Sequence, residues 1–102
     1  MSSRKLSVVL SPLAELDFKE VLVYSIMHWG ESKADQYEAD LLDAFDDIAR
    51  FPEIGSRRDD LMRGMRRFVV RDYSILYEIG IDDIQVFRIV HARIDLKRLQ
   101  FE

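Results

Sequence analysis

The last third of the chain alternates apolar and polar residues with a period of two. The clearest stretch is Ile84 to Asp95, read as Ile-Gln-Val-Phe-Arg-Ile-Val-His-Ala-Arg-Ile-Asp. Ile84 and Val86, with Arg88 next in the series, fall on one side; Gln85, Phe87 and Ile89 fall on the other. Such β-branched and aromatic content, with no Gly or Pro inside it, predicts a buried or half-buried strand. It ends in a polar cluster of Arg88, His91, Arg93 and Asp95. Tyr73 to Ile79 predicts another strand, with Tyr73, Ile75, Tyr77 and Ile79 alternating with Ser74, Leu76 and Glu78. Met65 to Arg71 reads as a third, Asp72 sits at a bend, and 80–83 is a turn.

The first half is different. Leu6 to Leu10 is a short β-rich run stopped by Ser11-Pro12, which suits an N-cap followed by the first helical position. Helix 1 then runs to about Trp29 and carries two apolar stripes. One is Ala14, Phe18, Val21, Leu22, Ser25, Ile26 and Trp29; the other is Leu16, Val23 and Met27, with Leu13 nearby. A surface helix needs only one stripe. The second is expected to pack under helix 2 or the loop after it; the alternative leaves it open for a partner. Gly30 closes helix 1. Helix 2 is expected from about Ser32, as cap, to Phe51. Its inner face is Ala34, Tyr37, Leu41, Ala44 or Phe45, and Ile48. Its outer face, Asp35, Glu38, Asp40, Asp43, Asp46 and Asp47, reads as solvated. Residues 56–64 are polar and irregular, the expected mobile loop. Leu96 to Glu102 reads as a helical turn or frayed tail, whose removal should leave the fold standing.

The predicted order is β-α-α-β-β-β, an α+β domain with a helical hairpin on one face of a small antiparallel sheet. At 102 residues the chain is a single domain, 1–102. It has no cysteine, no signal-like apolar run and no stretch approaching a membrane span, so a cytoplasmic protein with no membrane contact is expected. The net charge is −4, but unevenly spread. Residues 31–49 are strongly acidic, whereas 50–72 and 88–102 are basic. A wholly basic nucleic-acid binder is not expected.

Catalytic chemistry finds little support. There is no Gly-x-Ser-x-Gly nucleophile, no glycine-rich phosphate loop, and only His28 and His91 as histidines. Two distant histidines without cysteine make no zinc site, and the acidic run of helix 2 lacks converging ligands. No metal, cofactor or catalytic residue is expected. What remains is an arginine set (Arg57, Arg58, Arg63, Arg66, Arg67, Arg71, Arg88, Arg93 and Arg98) together with His91. It would suit a metal-free ribonuclease, which needs a base, an acid and a cation for the phosphorane, or the docking of an acidic protein segment. Alternatively, several arginines simply pair with Asp59, Asp60, Asp72 and Asp95.

A resemblance narrows these options. Leu10-Ser11-Pro12-Leu13-Ala14 with Asp17, Trp29-Gly30, Ala34 with Tyr37, and Phe51-Pro52 with Gly55 occur in order. Asp60-Leu61, Gly64-Met65-Arg66, Tyr73-Ser74-Ile75-Leu76-Tyr77 and Arg88-Ile89-Val90-His91-Ala92-Arg93-Ile94-Asp95 follow. In this order and spacing the chain resembles the ParE branch of the ParE/RelE superfamily of type II toxins, whose fold agrees with the one predicted above.

The resemblance implies a toxin that arrests growth and serves plasmid maintenance by poisoning DNA gyrase through binding, without being an enzyme. It also implies a ParD-like antitoxin wrapped around the toxin in a hetero-oligomer. The antitoxin is expected on Leu16, Val23 and Met27 of helix 1 and on Arg66, Arg67 and Arg88 by the sheet. His91, Arg93, Lys97 and Arg98 are expected to face the target. The alternative is ribosome-dependent mRNA cleavage of the RelE type, with Arg66, Arg67, Arg88, Arg93 and His91 around the phosphate. RNA-cleaving members tend to carry Tyr or His where this chain has Asp95, and an aspartate there would repel a phosphate. The overall acidity also argues against ribosome binding. A binding module that has lost toxicity is the third reading.

Overall fold

A computed structural model describes residues 5–101. Ser11 ends the first strand (β1, Ser7–Leu10) and opens the first helix (α1, Pro12–Trp29). Its Oγ accepts from the Ala14 N–H at 3.0 Å, satisfying one of the helix's orphan donors. Gly30, at φ +90°, separates α1 from the second helix (α2, Glu31–Arg50) by a single residue. Its N–H donates to the Ile26 carbonyl and its own carbonyl accepts from Ala34. Ser32, expected as the cap, therefore lies inside the first turn of α2, which has no side-chain cap. A left-handed glycine turns the chain so tightly that no capping residue intervenes.

Three antiparallel strands follow, β3 (Met65–Val70), β4 (Tyr73–Ile79) and β5 (Asp83–His91). The loop expected to be irregular contains a two-residue strand, β2 (Ser56–Arg57), on the outer edge of β3. β1 joins the opposite edge, parallel to β5, so the sheet order is β1-β5-β4-β3-β2. The expected α+β order holds, with β2 added and the sheet mixed.

Both faces of β4 are buried, and this creates two cores. On one side α1 and α2 lay Ala14, Val21, Leu41, Ala44, Phe45 and Ile48 over Ile75, Tyr77, Ile84, Val86 and Ile89. On the other, Met65, Leu76, Val90 and Leu96 are covered by Leu61, Met62, Leu99 and Phe101. The C-terminal residues are thus a lid on a second core. Leu96 is only 7% exposed, so cutting the chain before it would uncover Leu76 and Val90 rather than leave the fold standing.

A β-bulge corrects one expected face. Leu76 pairs with Arg88 and Tyr77 with Val86, so Phe87 is the extra residue. The phase shifts there, and Ile89 joins Ile84 and Val86 under the helices instead of facing away. The bulge falls where β1 has run out, and α1 serves the outer edge of β5 instead. Ser11 donates its backbone N–H to the Val86 carbonyl at 2.9 Å and its hydroxyl to the Phe87 carbonyl at 2.8 Å. Asp17, 8% exposed, accepts from the Ile89 N–H at 3.0 Å and from two nitrogens of Arg88 at 2.7 and 3.0 Å. Unpaired backbone groups in a buried setting are costly, and these side chains remove that cost.

At the other edge Tyr77 holds the turn before β2. Its hydroxyl donates to the Pro52 carbonyl at 2.6 Å and accepts from the Gly55 N–H at 2.9 Å. A Cβ on Gly55 would stand 2.6 Å from that hydroxyl, so only glycine fits.

Asp17→Ala should lower unfolding stability by about 3 kcal/mol, because it strands the Arg88 guanidinium and the Ile89 N–H together. A urea midpoint shift would measure this; a loss below about 1 kcal/mol would show that water replaces the carboxylate freely.

Candidate partner-binding surface

The second stripe of α1 is not covered. Leu16 and Val23 are each 55% exposed and Met27 is 76% exposed. The expectation that α2 or its following loop would pack over them fails, because α2 meets α1 along Val21 and along Phe18, whose ring lies 5.9 Å from that of Phe45. Even the first stripe comes into the open past Ser25, at Ile26 and Trp29. Tyr24 is exposed too and stacks on His28 at 3.8 Å. The C-terminal half of α1 therefore presents Val23, Tyr24, Ile26, Met27 and Trp29 to solvent. Interaction surfaces share such a concentration of large apolar side chains.

The arginines divide into two groups. Arg66 donates to the carbonyls of Glu53 and Gly55, at 3.2 and 2.7 Å. Arg67 crosses beneath the sheet to Ser74 Oγ at 2.8 Å and the Ala92 carbonyl at 3.2 Å. Arg88 holds Asp17 and the Gln100 carbonyl, and the aspartate raises its pKa above the ordinary guanidinium value. All three thus carry internal bonds. Arg57 and Arg58 pair with Asp59 and Asp60 at 2.9 Å. The Gly64 N–H, and after it Arg57, hold the Asp59 carboxyl below its usual range. Arg71 binds Asp40 and lies 5.0 Å over the Tyr37 ring, docking the β3–β4 turn on α2. On the acidic face of α2, Asp46 likewise holds Lys5 and Arg50.

The residues at the end of β5 are left outside. His91, Arg93, Lys97 and Arg98 are all exposed. His91 sits edge-on to Tyr73 at 5.9 Å, and its Nδ1 accepts from the Arg93 backbone N–H at 3.2 Å. Arg98 makes a 3.7 Å pair with Asp95, exposed on both sides and worth little. Asp95 also accepts from the Lys97 N–H at 3.1 Å and opens a 3-10 turn, Leu96–Arg98, that projects Lys97 and Arg98 beyond Arg93. Among the described residues the Arg93 side chain meets no hydrogen-bonding or ionic partner.

A cleft of about 610 Å³ opens between α1, Tyr37 of α2 and the end of β5. Glu20, Tyr24, Trp29, Tyr37, Asp72, Tyr73, His91 and Ile94 line it, above the Asp17–Arg88 pair. Burial, and then the nearby Tyr37 and Asp72 oxygens, push the Tyr73 hydroxyl above its ordinary pKa. Among the predicted site residues only Arg88 and His91 border this cleft. Sequence spacing does not reveal its aromatic wall, because Trp29 and Tyr37 fall on apolar stripes and Tyr24 on none; only the fold gathers them. Among the described residues no three His, Asp or Glu side chains gather to hold a metal ion, and no helix is long and apolar enough to cross a membrane.

A sequence profile for the ParE toxin of the type II toxin–antitoxin system parDE matches residues 8–96, from β1 through Leu96. The chain belongs to the ParE toxin family. It is therefore the toxin of a ParDE-type pair, and the family implies a ParD-type antitoxin. The toxin ParE1 of Mycobacterium tuberculosis is 34% identical over 99 residues, spanning 96% of this chain and 98% of that one. The toxin ParE1 of Caulobacter vibrioides is 26% identical over 88 residues, 86% of this chain and 91% of that one. In solved structures, a chain of the chromosomal ParDE system from P. aeruginosa has a TM-score of 0.73 at 19% identity, covering 87% of this chain and 98% of that one. A chain of the toxin–antitoxin complex RelBE2 from M. tuberculosis has a TM-score of 0.63 at 20% identity, covering 85% and 98%. These two show the ParE/RelE-like fold.

Substitution separates the two arginine groups. Arg67→Ala, which abandons the buried Ser74 hydroxyl and the Ala92 carbonyl, should cost this ParE toxin about 1–3 kcal/mol. Arg93→Ala should stay within about 0.5 kcal/mol. Thermal or urea unfolding of both variants checks the contrast.

Proposed function

We propose that this ParE toxin acts in the cytoplasm as a binding inhibitor of DNA gyrase, without cutting nucleic acid, and that its ParD-type antitoxin holds it in an inactive hetero-oligomer. The observation that carries this reading is the division of the arginines. A RelE-type nuclease would need Arg66, Arg67, Arg88, Arg93 and His91 free to converge on one phosphate. Three of the four arginines are engaged in internal bonds instead. Asp95, two residues beyond Arg93, adds a carboxylate that repels a phosphate.

The freely exposed cations Arg93 and Lys97, with His91 and Arg98, suit a contact with an acidic protein surface, where charge steers encounter and fixes register. The antitoxin is assigned to Leu16, Val23 and Met27, whose exposure supports an apolar covering segment. Arg66, Arg67 and Arg88 would then act on the antitoxin by holding the surface in shape more than by direct contact.

Purified toxin should block gyrase supercoiling while leaving in vitro translation intact. Arg93→Glu with Lys97→Glu should weaken that block roughly tenfold at unchanged melting temperature, since reversed rim charges act on association. Arrested translation with cut mRNA, lost on His91→Ala, would move the chain to the RelE mechanism. Leu16→Asp with Val23→Asp should weaken antitoxin binding by at least about a hundredfold, as charges set into an apolar interface do. Unchanged affinity would remove the stripe from the antitoxin site.

A further inference from the structure

The cleft beside α1 has a chemistry that an apolar covering segment does not use. Four aromatic rings line it, those of Tyr24, Trp29, Tyr37 and Tyr73. The charge they surround is negative. Asp17 and Arg88 neutralise each other through two bonds at the cleft floor. Glu20 and Asp72 remain; among the described residues the Asp72 carboxylate takes up one bond, a long one of 3.3 Å from the Tyr37 hydroxyl. The cation next to the Tyr37 ring, Arg71, is bound to Asp40 and does not line the cleft. His91 adds an imidazole at the far wall.

Aromatic faces attract a cation through their quadrupole, and flanking carboxylates add charge-assisted hydrogen bonds. A neutral donor gains only the second, and an anionic side chain gains neither. Glu20 also lies one turn from Leu16 and from Val23 along α1, so the cleft and the apolar stripe form one continuous surface.

We propose that the cleft receives a cationic side chain, arginine or lysine, carried by the antitoxin segment that covers the α1 stripe. This rests on the antitoxin reading above and adds to it the ligand chemistry of a neighbouring pocket. The segment is amphipathic: apolar side chains meet Leu16, Val23 and Met27, and one cation turns inward between the rings, toward Glu20 and Asp72.

The chain has a single tryptophan, so ¹⁵N-labelled toxin gives one indole signal, from the cleft wall. Unlabelled cognate antitoxin is titrated into wild type and into the Glu20→Gln/Asp72→Asn variant, whose isosteric carboxamides should not disturb folding. The indole signal should shift on complex formation, and the variant should bind roughly tenfold more weakly at low salt, with an equal melting temperature. An indole unmoved at saturation overturns the proposal, because the cleft is then empty in the complex. A shifted indole with equal affinities also overturns it, because the occupant is then apolar. If Leu16→Asp/Val23→Asp loses binding while the carboxamide variant keeps it, the stripe stands and the cleft falls. If wild-type toxin does not bind antitoxin at all, the antitoxin reading itself fails, and this proposal with it.

Discussion

One carboxylate holds the two halves of this molecule together. Asp17 sits on α1 but completes β5, taking the Ile89 N–H and two nitrogens of the Arg88 guanidinium. Without it the strand would carry a bulge, an unpaired backbone donor and a half-buried cation at the same point. A pair of this kind contributes modestly to net stability, since desolvation offsets most of the attraction. What it supplies is position. Together with the packing of Phe18 and Val21 against the core, it seats α1 with Ala14 and Val21 inward and Leu16, Val23 and Met27 outward. It also forms the floor of the aromatic cleft. The seating of α1 on the sheet and the floor of the cleft thus meet in one contact.

The second organising feature is that β4 is buried from both sides. Ordinary α+β domains of this size leave one sheet face to water. Here the loop after β2 and the C-terminal turn cover it, so the tail belongs to the core as well as to the surface proposed to face the target. Leu96 and Phe101 look inward while Arg93, Lys97 and Arg98 look outward. The arginines show a similar economy: Arg66, Arg67 and Arg88 project across the sheet and hold its loops, Arg50, Arg57 and Arg71 pair with nearby aspartates, and Arg93 and Arg98 stand exposed after the last strand.

Much of this architecture was legible in the residues. Period-two alternation located β4 and β5 closely, and Ser11-Pro12 and Gly30 marked the helix boundaries to within a residue or two. The failures have identifiable causes. The bulge at Phe87 adds one residue to a strand whose alternation looks unbroken, so period two alone puts Ile89 on the wrong face. Ser32 looked like a cap because a left-handed glycine joining two helices directly leaves no signal beyond the glycine itself. Both stripes of α1 were visible, but periodicity says only that a face is apolar, not which neighbour meets it. Nor does sequence spacing say which arginine finds which acceptor. Arg66, Arg67 and Arg88 reach carbonyls and a carboxylate that lie 11 to 71 residues away. The aromatic cleft needed α1, Tyr37 and the β5 terminus to be assembled before it existed at all.

The parallel pairing of β1 with β5 bears on how the chain reaches this state. Ser11 finds its carbonyl partner 76 residues later, at Phe87. At ordinary synthesis rates those residues take roughly 4–15 s to appear, far longer than a helical hairpin needs to form. The α1–α2 pair, joined by one glycine, can therefore assemble early with its apolar stripe already displayed. The sheet edge and the cation-bearing terminus close only when the last strand is made. The helical part of the surface assigned to the antitoxin is thus made before both the cleft beside it and the surface assigned to the target, an order of events set by topology alone.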